Sequence, residues 1–78
     1  MNVQLRPVAS RAVAAIGYDE QAQEVYVRFH GGSTYAYGHV PANVWDALQD
    51  TDSVGRFVNV VLKPACPCRR VDVLTRRP

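Results

Sequence analysis

The sequence has few of the features that mark membrane, secreted or disulfide-stabilised proteins. No apolar run approaches the roughly 20 residues that a membrane-spanning helix requires. The first 19 residues lack the ordered basic region, apolar stretch and cleavage site of a secretory signal. The two cysteines, in a Cys66-Pro67-Cys68 arrangement, are too few and too close together for the disulfide framework of a small secreted domain. We therefore expect no membrane association and a cytoplasmic location.

Residues that could support catalysis or bind a metal or cofactor are also scarce. A structural zinc site normally takes four ligands, commonly from two separated pairs, and Cys66 and Cys68 have no second pair. A metal or disulfide shared between two chains stays an alternative for these cysteines. His30 and His39 would form a site only if folding brought them together or beside a carboxylate. No glycine-rich phosphate loop or nucleophile-base pattern is visible, so we expect no catalytic residue, metal or cofactor.

The bulk composition predicts one small globular domain with a basic end. The 78 residues are 47% hydrophobic and 21% charged, which is enough for a single core. Residues 1–65 carry five basic and six acidic side chains, whereas residues 66–78 carry four arginines and one aspartate. Phosphate contacts supply most non-specific nucleic-acid affinity, so the nearly neutral body argues against tight nucleic-acid binding by the body alone. We divide the chain into an N-terminal arm (1–9), a folded domain (10–65) and a basic tail (66–78).

The stretch QEVYVRFHGGSTYAYG, residues 23–38, predicts a β-hairpin closed by Gly31 and Gly32. Two alternating runs separated by a glycine pair favour a two-residue turn with positive φ. In that register Tyr26 lies opposite Tyr37. Because side chains alternate between the faces of a strand, the hairpin would have a core face and a face rich in tyrosine. The predicted core face is Val25, Val27, Phe29, Thr34 and Ala36, and the predicted tyrosine face is Tyr26, Arg28, His30, Ser33, Tyr35 and Tyr37.

The segments around the hairpin predict a third strand and two helices. Residues 10–19 are typical of a strand, although their alanines leave a helix open, and residues 19–23 resemble a turn between antiparallel neighbours. Pro41 is favourable at the first position of a helix, Ser53 at the N-cap of a second, and Pro64 should end it. The predicted fold is α+β, a three-stranded antiparallel meander followed by two short helices packed on one face. The apolar stripes of the helices are Val44, Trp45, Leu48, Val54, Phe57, Val58, Val61 and Leu62.

The two ends of the chain are less informative. Pro7 excludes a helix through residues 1–9. In the tail, the β-branched residues Val71, Val73 and Thr75 alternate with Asp72 and Leu74. This pattern is consistent with a fourth strand or an ordered extension onto a partner, and the arginine pairs are equally typical of a mobile basic end.

Four segments, VASRAVAAIGYD, EVYVRF, GSTYAYGHVP and DSVGRFVN, occur in this order over residues 8–62. Their motifs are Tyr35-Ala36-Tyr37, Gly17-Tyr18-Asp19, Val40-Pro41, and Ser53-x-Gly55 with Asn59. Together they resemble the KTSC domain, a family found at the C-terminus of some lysyl-tRNA synthetases and as stand-alone bacterial or phage proteins. Asp52 departs from the family's preference for small apolar residues there, and the tail from Cys66 onward has no clear counterpart. The resemblance implies a domain whose function is not established and for which RNA binding has been suggested.

The tyrosine face supports two interpretations. Tyrosines with an arginine and a histidine resemble the surfaces on which single-stranded bases stack, each stack contributing about 1–3 kcal/mol, but Tyr26 opposite Tyr37 is also an ordinary cross-strand pair. We expect a non-catalytic domain that binds single-stranded RNA or another nucleic acid. The competing hypothesis is a phage or bacterial adaptor that binds a protein through a sheet edge or the tail, as a monomer or a homodimer. The candidate nucleic-acid-binding residues are Tyr26, Arg28, His30, Tyr35, Tyr37, Arg69, Arg70, Arg76 and Arg77.

Overall fold

Five antiparallel strands and two helices form the part of the chain, residues 4–71, that the computed structural model describes. The strands are β1 (Arg6–Pro7), β2 (Val13–Asp19), β3 (Glu24–Phe29), β4 (Thr34–Tyr37) and β5 (Cys68–Val71), and the helices are α1 (Ala42–Asp50) and α2 (residues 54–65). The strands neighbour one another in chain order, and both helices lie in the chain between β4 and β5. The α+β class with two helices is confirmed. The expected number of three strands was wrong, because the arm and the tail each add an edge strand.

The two added strands pair with their neighbours over short stretches. In β1, Arg6 lies opposite Ile16 and Pro7 opposite Ala15. Proline is tolerated there because an edge strand has backbone positions that need no hydrogen-bond donor. β5 runs antiparallel to β4 over its four residues, so the tail does add a strand, but this strand shares only Val71 with the alternating residues 71–75 from which one was considered. Residues 72–78, with the rest of that alternation and both C-terminal arginines, lie outside the described residues.

Both helices pack on the same face of the sheet, which we call the helix face. One buried cluster joins residues of β2, β3 and β4 to residues of both helices. A β-bulge in β2 helps to assemble it, because Val13 lies opposite Phe29 and Ala15 opposite Arg28. The extra residue between them moves Val13 onto the face that also carries Ile16, whereas in a regular strand Val13 would share a face with Ala15. The cluster consists of Val13, Ile16, Val25, Val27, Tyr37, Val40, Leu48, Val54, Val58 and Leu62.

The hairpin between β3 and β4 closes with a three-residue loop, so the predicted register was wrong by one residue. The N–H of Phe29 donates to the carbonyl of Ser33 at 2.9 Å, and the N–H of Gly32 donates to the carbonyl of Phe29 at 2.9 Å. Of the two loop glycines only Gly32 has a positive φ, +101°. A turn followed by one left-handed residue is the usual three-residue connection, whereas a two-residue type I′ loop needs positive φ twice.

This shift moves every side chain of β4 to the other face of the sheet. Val25 lies opposite Tyr37 and Val27 opposite Tyr35, so both tyrosines are on the helix face. Thr34 and Ala36 are buried, as expected, but they lie on the opposite face, where Ala36 is opposite Tyr26 and Thr34 is opposite Arg28. We call this second surface the open face, because the two helices pack on the other side.

Helix α2 begins with a close contact to the segment that precedes β2. Ser53 occupies the N-cap position, but its side chain makes no capping hydrogen bond, and its N–H donates to the Thr51 hydroxyl at 3.2 Å. A Cβ on Gly55 would lie 3.2 Å from the Cβ of Ala12. Glycine, which has a poor helix propensity, is therefore explained here by the close approach of two backbones.

The same helix continues past Pro64, which was expected to end it. Its segments are α-helical Val54–Phe57, π-helical Val58–Leu62 and α-helical Lys63–Ala65. The N–H of Lys63 donates to the carbonyl of Val58, five residues back, and this wider turn precedes the proline. The π turn also changes which side chains of α2 are buried, because it breaks the 3.6-residue period of the α-helix. Val58 and Leu62 are buried, whereas Val61 is 37% exposed, so its assignment to the core was wrong.

Candidate nucleic-acid interface

The structure divides the predicted tyrosine face between the two sides of the sheet. Tyr26 and Arg28 lie on the open face, whereas Tyr35 and Tyr37 lie on the helix face. Tyr37 is only 1% exposed and belongs to the core. Burial raises its pKa, with smaller contributions from the charge of Cys68 and from Tyr35. Its hydroxyl therefore stays neutral, and its role is structural packing.

On the open face one arginine is paired with a carboxylate, and a second contacts only a hydroxyl group. Arg69 of β5 binds Glu24 through two hydrogen bonds of 3.2 Å, and the Tyr26 hydroxyl donates to the same carboxylate at 3.2 Å. The Arg28 Nε donates to the Thr34 hydroxyl at 3.5 Å. The side chains of Arg69 and Glu24 are 56% and 21% exposed, which is typical of surface pairs that contribute about 0–1 kcal/mol. Arg69 is therefore already bound to a carboxylate, whereas Arg28 forms no salt bridge with a described carboxylate.

The two histidines are not brought together as a metal or general-base site. His30 lies in the hairpin loop. Its ring Nε2 is 2.9 Å from the carbonyl oxygen of Ser10, and its backbone N–H donates to the carbonyl of Ala12 at 3.0 Å. It thus ties the hairpin to the segment before β2. His39 is exposed, with a φ of 58°, between β4 and α1. Within residues 4–71 no three side chains of histidine, cysteine, aspartate or glutamate cluster as metal ligands would.

A groove on the helix face brings aromatic and cationic groups together near β4 and β5. We call it the Tyr35 groove; its volume is about 560 Å³. Tyr35 is half-buried and makes an edge-to-face contact with Phe29, with ring centroids 5.9 Å apart. Lys63 of α2 lines the groove, and Arg70 lies opposite Tyr35 on β5. The lining residues are Phe29, Gly31, Ser33, Tyr35, Tyr37, Lys63 and Cys68.

The charges of the Tyr35 groove differ from those of the open face. Lys63 and Arg70 are both exposed, and no described lining residue is acidic. Within residues 4–71 no carboxylate forms a salt bridge with either of them. An aromatic ring beside two such cations can stack a base and contact the adjacent phosphates. Sequence reasoning named Tyr35 and Arg70 but missed Lys63, which lies on α2, far along the chain from Tyr35, and reaches the groove only through the packing of α2 on the sheet.

The two cysteines differ in exposure. Both are free thiols; Cys66 is half-buried and Cys68 is exposed, and burial raises the pKa of the Cys66 thiol. Cys68 begins β5 and lines the Tyr35 groove. Neither thiol belongs to a metal-binding cluster within the described range, and their sharing between two chains stays a hypothesis.

Comparison with known proteins identifies the family. A family model, the KTSC domain, matches residues 9–65, and the chain belongs to that family, as its motifs predicted. It is 48% identical over 60 residues to a protein of Tsukamurella paurometabola, covering 77% of this chain and 90% of that protein. It is also 42% identical over 55 residues to an uncharacterised protein of Stutzerimonas stutzeri, covering 70% of this chain and 78% of that protein.

A solved structure has the same fold. The crystal structure of a KTSC domain protein from Yersinia pestis superposes with a TM-score of 0.82 at 32% identity, and the match covers 90% of this chain and 99% of that one. Neither helix within residues 4–71 has the length and apolar character needed to cross a membrane.

Proposed function

We propose that this chain is a non-catalytic binding domain that holds single-stranded RNA or another nucleic acid in the Tyr35 groove. The observation that carries the proposal is the position of half-buried Tyr35 beside two exposed cations, Lys63 and Arg70. A base stacked on an aromatic ring contributes about 1–3 kcal/mol. The two cations, Lys63 in the groove and Arg70 opposite Tyr35 on β5, are suited to the phosphates that flank such a base.

The Tyr35 groove suits this ligand better than the open face does. On the open face Arg69 is already bound to Glu24, and a phosphate would have to displace or approach that carboxylate. The groove has no acidic lining residue among those described. Two phosphate contacts predict a modest salt dependence, with a slope of about −0.7 per contact for single strands. Arg76 and Arg77, expected from the sequence to contribute, lie outside the described residues.

Fluorescence anisotropy of a labelled single-stranded RNA pool tests the proposal with matched tyrosine variants. Tyr35→Leu keeps an apolar side chain in the groove but removes the stacking ring. We expect affinity to fall about 5- to 150-fold, the equivalent of one stacked base. Tyr26→Leu makes the same change on the open face and should leave affinity unchanged. If folded Tyr35→Leu bound RNA as well as the parent, the proposal would be wrong.

Salt titrations test the phosphate contacts separately from stacking. Lys63→Gln and Arg70→Gln should each make the slope of log affinity against log salt shallower by about 0.7. Arg56→Gln is the matched control, because Arg56 is an exposed arginine of α2 that lines a different cavity. A slope that responded equally to all three substitutions would indicate diffuse charge attraction instead of a defined site.

The second candidate function is protein binding at the edge formed by β5. Residues 68–70 of this edge strand are exposed, and an extended peptide could add a sixth strand through main-chain hydrogen bonds. Pairing β5 with a second copy of itself would bring Arg69 and Arg70 close to their equivalents, which is unfavourable. An acidic partner fits better. Binding of an acidic peptide that is abolished by N-methylation of alternate peptide bonds would support this function over RNA binding, because only strand addition depends on main-chain hydrogen bonds.

A further inference from the structure

A second cleft lies at the opposite edge of the sheet, between β1, β2 and α1. Its volume is about 630 Å³. Tyr18 and Trp45 line it, together with Glu20, Asp46 and Arg6. We call it the Tyr18–Trp45 cleft. The sequence placed these aromatic residues in a strand and a helix, but it gave no indication that they would meet.

The two aromatic rings form a preorganised surface. Tyr18 and Trp45 stack with their centroids 5.2 Å apart and their planes 12° from parallel. The Tyr18 hydroxyl donates to the carbonyl oxygen of Val40 at 2.6 Å, which fixes the orientation of its ring. Both aromatic residues are half-buried, so part of the stacked pair faces the cleft.

The charges around this aromatic pair are predominantly negative. Glu20 and Asp46 both line the cleft. Burial raises the pKa of Tyr18, and the carboxylates of Glu20, Asp46 and Asp19 raise it further. Arg6 also lines the cleft, but no described carboxylate lies within 4.0 Å of its guanidinium. The carboxylates are therefore not neutralised by a salt bridge to the one cation of the described lining.

We propose that the Tyr18–Trp45 cleft binds the guanidinium group of an arginine in a basic peptide. Aromatic faces attract cations by about 0.5–2 kcal/mol, most strongly for tryptophan, and Glu20 and Asp46 add opposite charge. The planar guanidinium can stack on the ring pair while its N–H groups donate to a carboxylate. Phosphate is disfavoured by the same carboxylates, so this site differs from the Tyr35 groove in ligand class. The proposal of a peptide ligand for this cleft does not depend on the proposal that the Tyr35 groove binds nucleic acid.

The fluorescence of Trp45, the single tryptophan of the chain, reports this site directly. The intact protein is titrated with acetyl-Gly-Arg-Gly-amide and with the same peptide containing citrulline, which has the shape of arginine without its charge. We expect a saturable change in emission with the arginine peptide and none with the citrulline peptide. Equal responses to both peptides, or no saturable response to the arginine peptide, would overturn the proposal. Acetyl-arginine-amide should bind more weakly than the peptide, and equal binding would overturn the assignment to a peptide ligand.

Charge-neutralising variants locate the binding. Asp46→Asn and Glu20→Gln should each weaken arginine-peptide binding about three- to fivefold, as expected for one partly exposed ion pair. Asp52→Asn is the matched control, because Asp52 is an exposed carboxylate between the helices that does not line the cleft. These substitutions keep the size of each side chain, and circular dichroism checks the fold. Unchanged affinity in folded Asp46→Asn and Glu20→Gln would refute the assignment.

Discussion

The hydroxyl of Tyr18 makes one hydrogen bond whose contribution to stability can be measured in isolation. It donates to the carbonyl oxygen of Val40 at 2.6 Å, and Val40 is fully buried. Tyr18→Phe removes the donor and leaves a buried acceptor, which costs about 1–3 kcal/mol. For a domain of this size each kcal/mol lowers the melting temperature by about 4–8 °C.

Urea unfolding of matched phenylalanine variants measures this loss. Tyr26→Phe is the control, because the Tyr26 hydroxyl donates to the carboxylate of Glu24 at 3.2 Å on the open face, where the loss should stay within about 0.5 kcal/mol. The urea midpoint of Tyr18→Phe should fall, but the slope of the unfolding free energy against urea concentration should not change, since the surface exposed on unfolding is the same. Equal midpoints for Tyr18→Phe and the parent would refute the argument.

The same variant has a defined effect at alkaline pH. The pKa of Tyr18 is raised in the folded protein by burial and by nearby carboxylates, so the unfolded chain loses this proton first. The stabilisation of the folded state by the protonated Tyr18 hydroxyl is therefore complete below pH about 10, the ordinary tyrosine value. It is lost as the pH rises from there through the pKa that Tyr18 has in the folded protein. Tyr18→Phe should show a smaller alkaline loss of stability. A residual loss is expected, because the pKa of Tyr37 is also raised.

Two further pairs of variants test the hairpin loop and the helix face. Gly32→Ala should cost about 1–2 kcal/mol in thermal unfolding, since its φ of +101° is unfavourable for a side chain, whereas Gly31→Ala should be nearly neutral; equal losses would favour the two-residue loop. Val58→Ala should cost about 1.5–3 kcal/mol in urea unfolding because this side chain is fully buried. Val61→Ala should cost much less, and the reverse order would contradict the π turn.

The sequence predicted the elements of this fold better than their pairing. Residues 23–38 alternate strongly enough to specify two strands, and the apolar spacing after Pro41 and Ser53 specifies two helices. These signals are local, because they depend on the period of a strand or a helix. The edge strand β1 was missed because its two residues include Pro7, and the strand in the tail was left undecided because β5 contains adjacent arginines. Each forms only through pairing with a distant strand.

The hairpin register could not be decided from local sequence. Gly31 and Gly32 are compatible with a two-residue loop and with a three-residue loop, and both keep the alternation of β3. The two loops differ in which side chains of β4 face the helices, either Tyr35 and Tyr37 or Thr34 and Ala36. An aromatic side chain buries about 150–250 Å², so the register that turns the tyrosines toward the helices gains more apolar burial. The pattern of polar and apolar residues does not include this gain, because it depends on the packing of the helices against the sheet.

The register also determines which side chains can act together at a binding site. With a two-residue loop Tyr26 and Tyr35 would share one surface, whereas the observed loop places Tyr35 beside Lys63 and leaves Tyr26 next to Glu24. The Tyr35 groove and the Tyr18–Trp45 cleft then lie toward opposite edges of the five-stranded sheet, with Tyr35 on β4 and Tyr18 on β2. The two sites share no described lining residue. A substitution in one site therefore removes no lining side chain from the other, and its variants serve as controls for binding there.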